Sequence, residues 1–236
     1  MDKPIIGISC NFTPHQGEKG RLNLDVSYVD AVYIAGGIPQ MIPVLPIYEI
    51  PHMLHLYDGI VFSGGGGLLP HVKQMHSLPG LKEQNPDRYK FEYHLIKNAI
   101  NKGVPILGIC RGHQMINEVM GGTLKNLDNN SHSQQALSSE ASQRITIERD
   151  SRLFSCVRSE ICNVNSFQNQ VIHQLGHNLK ASAHADDGEI EAIEGTSAPF
   201  ILGVQFHPEF MFHNEQMVAI YSSLVEAAMY FKHVRN

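Results

Sequence analysis

The sequence predicts an α/β fold of three layers: helices over both faces of a mostly parallel sheet, with mixed or antiparallel strands extending one side. Three observations predict it. Over the first half, the apolar period switches repeatedly between short β runs and helical stretches, as strands joined by crossover helices require. Over the second half, strand-like segments follow one another with few helices between them, which suits an antiparallel or mixed extension of the same sheet. No linker, repeat or low-complexity tract divides residues 1–236, so one domain is expected.

The elements follow in order. "PIIGISC" is a buried-strand pattern, and "NFTPHQGEKGRLN" reads as a polar loop marked by Gly and Pro. "LDVSYVDAVYIAGG" is a helix with Val26, Val29, Tyr33 and Ile34 on one face and Gly36-Gly37 as its stop. "IPQMIPVLP" is a strand, "EIPHMLHLY" a short helix, and "DGIVFSGGGG" a strand running into glycines. "DRYKFEYHLIKNAINKG" is a strong helix ending at Gly103, and "VPILGIC" the next strand. Beyond it, "QRITIER", "EICNVNSF", "NLKASAHA", "GEIEAIE" and "FILGVQFHPE" are strand-like, and "NEQMVAIYSSLVEAAMYFKHV" is a long amphipathic helix. The Ser/Asn/Gln-rich "NLDNNSHSQQALSSEASQ" reads as a surface loop.

Composition excludes several classes. The 236 residues are 42% hydrophobic and 17% charged, which is the balance of a compact soluble protein. A net charge of −5 with no long basic run argues against a nucleic-acid surface. No apolar run approaches the ~18–20 residues of a membrane span, and the N-terminal run is too short for a signal-peptide core. A cytoplasmic chain is expected. Its four cysteines, Cys10, Cys110, Cys156 and Cys162, have no paired or metal-ligand spacing and are expected to stay reduced. The 14 histidines are scattered, as surface or hydrogen-bonded positions are, so neither a metal nor a cofactor is expected.

In "VPILGICRGHQMINEVMGG", Cys110 stands between a strand end and a helix start, with Gly108 and Gly112 two positions to either side. A side chain at such a turn is held up at the carboxyl edge of the sheet, as in a nucleophile elbow with sulfur in place of oxygen. The helix N-terminus favours the thiolate, and the backbone N–H groups of Arg111 and its neighbours are free to hold an oxyanion. A lone cysteine is more often a buried structural one, but these glycines and this junction argue for a nucleophile. Cys10, Cys156 and Cys162 fall in strand or helix patterns that bury them. A thiolate needs an oriented histidine. In "GVQFHPE", residues two apart on a strand share a face, which sets Glu209 beside His207 to fix its tautomer and stabilise its charged form. The alternative for this pair is a plain surface strand end. Residues 64–67 are all glycine but no G-K-[ST] follows, so the run is no phosphate loop. The backbone N–H groups of Gly65 and Gly66 suit an oxyanion hole, and a flexible loop is the other reading.

"SGGGG", "GICRGHQ…GGTL" and "GVQFHPE", in this order, resemble a class I glutamine amidotransferase domain with a Cys-His-Glu triad. "YVDAVYIAGGIPQMIP", "DGIVFSGGG", Arg88 with Phe91-Glu92, "GGTL", "NVNS" and "DDGEIEAIE" are similar to its γ-glutamyl-γ-aminobutyrate hydrolase branch, peptidase family C26. The resemblance implies a flavodoxin-like fold and a thioester mechanism. Cys110 attacks the γ-amide carbon, His207 protonates the departing amine, and water releases glutamate. It also implies that Gln114 and Ser166 hold the glutamyl substrate. The chain departs from the branch where Gly67 replaces an Asp, Gln168-Asn169 a His-His, and Gln143 a His. These positions lie in loops expected to shape the pocket, so they bear on leaving-group specificity.

Three functions follow from this reading. The leading one is a stand-alone hydrolase of γ-glutamyl amides acting on a small molecule, without nucleic acid or membrane and compatible with a homo-oligomer. The second is a glutaminase subunit feeding ammonia to a partner synthase. The third is a non-catalytic protein that binds γ-glutamyl ligands.

Overall fold

The computed structural model describes residues 3–15, 18–65, 78–127, 132, 139–197 and 199–235. In chain order these form β1 (Ile5–Ser9), β2 (Asn11–His15), β3 (Glu18–Asn23), α1 (Val26–Ile34), β4 (Ile38–Ile42), α2 (Ile50–Leu54) and β5 (Gly59–Phe62). Next come α3 (Leu81–Gln84), α4 (Pro86–Asn101), β6 (Ile106–Ile109), α5 (Arg111–Val119) and β7 (Thr123–Asn126). The second half contributes β8 (Gln143–Ile147), α6 (Arg152–Val157), β9 (Ile161–Val164), β10 (Gln170–Gln174), β11 (Leu179–Ala185), β12 (Ile190–Gly195), β13 (Ile201–Val204) and α7 (Glu215–Arg235).

Nine of these strands make one sheet in the order β4-β1-β5-β6-β13-β12-β11-β8-β9. The first five are parallel, and β12, β11, β8 and β9 extend them antiparallel. Side-chain alternation splits the core into two layers. Val61, Leu107, Leu202 and Val204 face one way, against Ala31 and Val32 of α1 and Ile220 and Leu224 of α7. Ile60, Phe62, Ile106 and Ile201 face the other, against α2, Leu95 and Ile96 of α4, and Ile116 of α5. Burial on both faces is why the parallel runs read as continuously apolar. The expected three-layer α/β/α architecture is the one observed.

Capping explains two boundaries. The Asn85 side chain accepts the Arg88 N–H at 3.3 Å, and Pro86 takes the first turn of α4; a capping Asn before a Pro is a common helix start. Gly103 follows the end of α4 at a φ of 76°, where a side chain would be strained. Asp25 accepts the Ser27 N–H at 2.9 Å and opens α1 in the same way.

Three expectations are corrected. The polar loop after β1 is a hairpin, β2 with β3, in which Phe12 opposes Leu22 and a register shift lies between Thr13 and His15. That irregularity spans Pro14, which has no N–H for the ladder, so Gly and Pro there mark a bulge and a turn rather than the absence of strands. On α1 the buried face is Ser27, Tyr28, Ala31 and Val32, while Val26 and Tyr33 are 67% and 66% exposed. The helix carries apolar residues on two faces, and periodicity alone does not choose between them. The ribbon of β7 with β10 joins two short runs distant in sequence, and no local pattern announces it. Most of the polar tract before β8 lies outside the described residues, but His132 within it is buried, at 2% exposure.

Candidate active site

The strand–helix junction sits where the glycine spacing puts it. β6 ends at Ile109, α5 begins at Arg111, and Cys110 between them has φ 50° and ψ −103°. A non-glycine residue held at positive φ costs ~1–3 kcal/mol, so neighbours must hold it there. Its N–H donates to the Val204 carbonyl at 2.8 Å, and its own carbonyl accepts the Gln114 N–H at 3.1 Å. A Cβ on Gly108 would stand 2.6 Å from the Gly112 carbonyl, so α5 lies directly on the strand that delivers the cysteine. Arg111 opens the helix, and its backbone N–H belongs to the first turn, which has no intrahelical acceptor.

His207 and Glu209 come to this point from the neighbouring strand, since β13 pairs with β6 in the register Ile109 to Val204. His207 Nδ1 lies 2.6 Å from Glu209 Oε1. The expected means is not the observed one. β13 stops at Val204, and Pro208–Phe210 form a short 3-10 turn, so a turn and not a shared strand face sets acid beside imidazole. Asn165 clamps the His207 peptide from both sides, accepting its N–H at 2.8 Å and donating to its carbonyl at 2.9 Å. Phe167 and Phe210 rings lie 6.2 and 5.9 Å from the imidazole. Burial opposes a charge on His207, but Glu209 and then Cys110 outweigh it and push its pKa well above 6.5. Such a shift is the mark of nearby negative charge prevailing over desolvation. An imidazolium beside Cys110 is the favoured state.

Gln205 carries no motif that singles it out in the sequence. Its amide nitrogen donates to Cys110 Sγ at 3.4 Å, and its oxygen accepts from Gln114 Nε2 at 3.0 Å. The available signal is its position two residues before His207, inside the same GVQFHPE run. Gln114 Nε2 also donates to the Gln170 carbonyl at 2.8 Å, so this nitrogen is committed to the protein. All four thiols are free; Cys10 and Cys162 are buried as expected, whereas Cys156 is half-buried. Burial pushes the thiol pKa of each of these three up.

Ser63 and Gly64, after β5, are held by a buried ion cluster. Arg88 Nη1 donates to the Gly64 carbonyl at 3.1 Å, and its Nη2 to the Ser63 carbonyl and hydroxyl at 3.0 Å each. Glu92 Oε1 accepts from Arg88 Nε at 2.8 Å and from the Ser9 hydroxyl at 2.7 Å, and Oε2 pairs with Arg111. Burial opposes the Glu92 charge, yet Arg111 and Arg88 together hold its carboxyl below the usual 4.5. Gly65 is exposed next to Arg111, whose Cβ lies 3.9 Å from where a Gly65 Cβ would be. Gly66 lies outside the described residues. The structure thus brings Cys110, His207, Glu209, Gly65, Arg111 and Gln114 together. Ser166 does not join them through its side chain: the residue is 1% exposed, and its hydroxyl donates to the His132 carbonyl at 2.9 Å.

The peptidase C26 family model matches residues 4–209. The chain belongs to the peptidase C26 family. A glutamine amidotransferase-like protein of Rickettsia prowazekii (strain Madrid E) is 30% identical, over 97% of this chain and 99% of its own. The γ-glutamyl-γ-aminobutyrate hydrolase of Escherichia coli (strain K12) is 27% identical, over 89% of this chain and 87% of its own. Among solved structures, a glutamine amidotransferase from Thermotoga maritima aligns with a TM-score of 0.62 at 15% identity, over 97% of this chain and 97% of its own. A GMP synthase component from Thermoplasma acidophilum aligns with a TM-score of 0.72 at 16% identity, over 100% of this chain and 98% of its own. Both share the fold of this chain.

In this C26 chain two of the positions that depart from the hydrolase branch, Gln168 and Gln143, meet at one buried carboxylate. Gln168 is 4% exposed, and its amide donates to Glu191 at 2.9 Å; Gln143 donates to the same oxygen at 3.2 Å. Between them is His132, with Nε2 2.6 Å from Asp187 Oδ2 and Nδ1 3.3 Å from Glu191 Oε1. Two of the replaced imidazole positions therefore surround one imidazole arriving from a distant tract. Asn169 is exposed and gives its carbonyl to the Leu127 N–H, and Gly67 lies outside the described residues.

Its hydrogen bond to Glu191 leads, against burial and with Asp187 adding, in raising the His132 pKa from 6.5 to about 9. A raised folded-state value means stabilisation that is complete below 6.5 and lost as pH rises through about 9, by linkage of protonation to folding. The melting-temperature gap between wild type and His132→Gln is therefore expected to be widest below pH 6.5 and to close toward pH ~10. A gap that stays constant over that range would show that His132 carries no charge in the fold.

Proposed function

We propose that this C26 member hydrolyses γ-glutamyl amides through a thioester on Cys110. The observation that carries the reading is the strained Cys110 set against a buried His207 that Glu209 holds in its charged form. A thiolate beside an imidazolium is the ground state that acyl transfer from an amide needs. The thiolate attacks the γ-amide carbon, and the amide oxygen, now an oxyanion, takes the backbone N–H groups of Gly65 and Arg111. His207 gives its proton to the departing amine as the C–N bond breaks, leaving the γ-glutamyl thioester. Neutral His207 then takes a proton from water, hydroxide attacks the thioester, and glutamate leaves as the thiolate reforms. Glu209 keeps the imidazole oriented and favours its charged form throughout.

Gln114 offers its carbonyl oxygen to the glutamyl α-ammonium, its nitrogen being committed elsewhere. The γ-glutamyl half of the assignment draws on the similarity to the E. coli hydrolase.

The test measures kcat/KM on purified protein for γ-glutamyl-γ-aminobutyrate, a γ-glutamyl alkylamide of equal length, and glutamine, with Cys110→Ser as control. Glutamate release from the substituted amides, lost in Cys110→Ser, is the expected result. Turnover of glutamine alone would move the assignment to a glutaminase. Tight γ-glutamyl binding without turnover would leave a binding protein.

A further inference from the structure

We propose that Tyr28 is a positioning residue that fixes the glycine strand end, where the oxyanion is held. The proposal rests on the reading of Cys110 as an acylated nucleophile. It gives a role to the "YVDAVYIAGG" stretch, which the chemistry above leaves unused.

Tyr28 lies on the sheet-facing side of α1 and is 5% exposed. Its hydroxyl oxygen accepts the Gly64 N–H at 2.8 Å. Burial first, and then the Glu209 charge, keep the phenol protonated far above its usual 10, so its oxygen stays a neutral acceptor for the Gly64 N–H.

The consequence for the oxyanion side follows from peptide geometry. The N–H of Gly64 is tied to Tyr28 and its carbonyl to Arg88 Nη1 at 3.1 Å. In a planar trans peptide the N–H of Gly65 points opposite to the Gly64 carbonyl, so fixing both groups of Gly64 aims the Gly65 N–H away from Arg88. The packing leaves no slack: a Cβ on Gly64 would stand 2.7 Å from both His207 Cε1 and the Tyr28 hydroxyl. Losing one oxyanion donor costs ~10²–10³ in rate, and misplacing one by about 1 Å is of similar consequence. Without the phenol hydroxyl the buried Gly64 N–H loses its partner, and the Arg88 bonds to the Ser63 and Gly64 carbonyls are left to hold the segment from one side.

Tyr28→Phe removes one oxygen and keeps the ring that packs under the sheet. Two reactions of the same thiol separate positioning from general damage. Single-turnover acylation by γ-glutamyl p-nitroanilide passes through an oxyanion, whereas alkylation by iodoacetamide does not. Tyr28→Phe is expected to slow acylation by ~10–100-fold with KM within about threefold, and to leave the alkylation rate within about threefold of wild type. Tyr221→Phe removes a second buried phenol, whose hydroxyl has no hydrogen-bond partner among the described residues, and is expected to show no such selective loss. Equal slowing of both reactions in Tyr28→Phe, or acylation at the wild-type rate, would overturn the positioning role while leaving the nucleophile reading intact. Absence of acylation in wild type, with Cys110 still alkylated, would overturn both.

Discussion

His207→Ala is expected to lower kcat/KM for γ-glutamyl amides by at least ~10²–10⁴-fold, the range that general acid–base catalysis supplies. The imidazole has two tasks in the proposed cycle, and alanine performs neither. It sets a positive charge beside Cys110, and it carries the proton to an amine that leaves poorly as an anion. No other described imidazole is placed to substitute. His113, on the helix that Cys110 opens, is fully buried, and burial pushes its pKa down to about 3, so it stays neutral. Glu209→Gln should cost less, because the amide still fits beside Nδ1 while only the charge is lost. Steady-state kinetics on the two variants decide the matter. Half the wild-type activity in His207→Ala would mean that the proton moves by another route.

The largest effect on stability is expected from Glu92→Ala. This carboxylate lies between two buried guanidiniums, with Arg88 0% and Arg111 4% exposed. Removing it leaves two positive charges in the core with nothing opposite them. Breaking a buried pair in this way costs ~3–5 kcal/mol. For a chain of this size that corresponds to a fall in Tm of roughly 6–20 °C. Wild type should also lose this contribution in acid. The folded-state pKa of Glu92 lies below 4.5, so its contribution is present above that ordinary value and disappears as pH falls through the folded one. Calorimetry or urea melts at neutral pH, repeated in mild acid, measure both effects. A Glu92→Ala protein melting within a degree or two of wild type would show that the guanidiniums find other partners.

Local spacing makes part of this site legible. Two glycines flanking a cysteine after an apolar run mark a strand–helix junction, and its close approach and positive φ follow from backbone sterics alone. The His-Pro-Glu run places the acid beside the base, although by way of a turn that Pro208 starts and not a strand face. What escapes depends on distant partners. Gln205 meets Cys110 across 95 residues, and Tyr28 meets Gly64 across 36. Neither contact leaves a local pattern. Tyr28 also lies on the face of α1 that apolar periodicity does not select, because the stripe through Val26 and Tyr33 is equally regular. His132 is hidden by its setting, a Ser/Asn/Gln-rich tract, while its acidic partner Asp187 is 55 residues away.

The order of strands has a consequence for synthesis. β13 enters the sheet between β6 and β12, and only then does the segment bearing Gln205, His207 and Glu209 lie alongside Cys110. A ribosome makes the cysteine long before the residues that would arm it. Until β13 is inserted into the gap between two other strands, the proposed nucleophile lacks both its Gln205 contact and its imidazole neighbour. Such a non-local insertion is a slow kind of folding event. On the proposed reading, chains halted before that point are inert as well as incomplete.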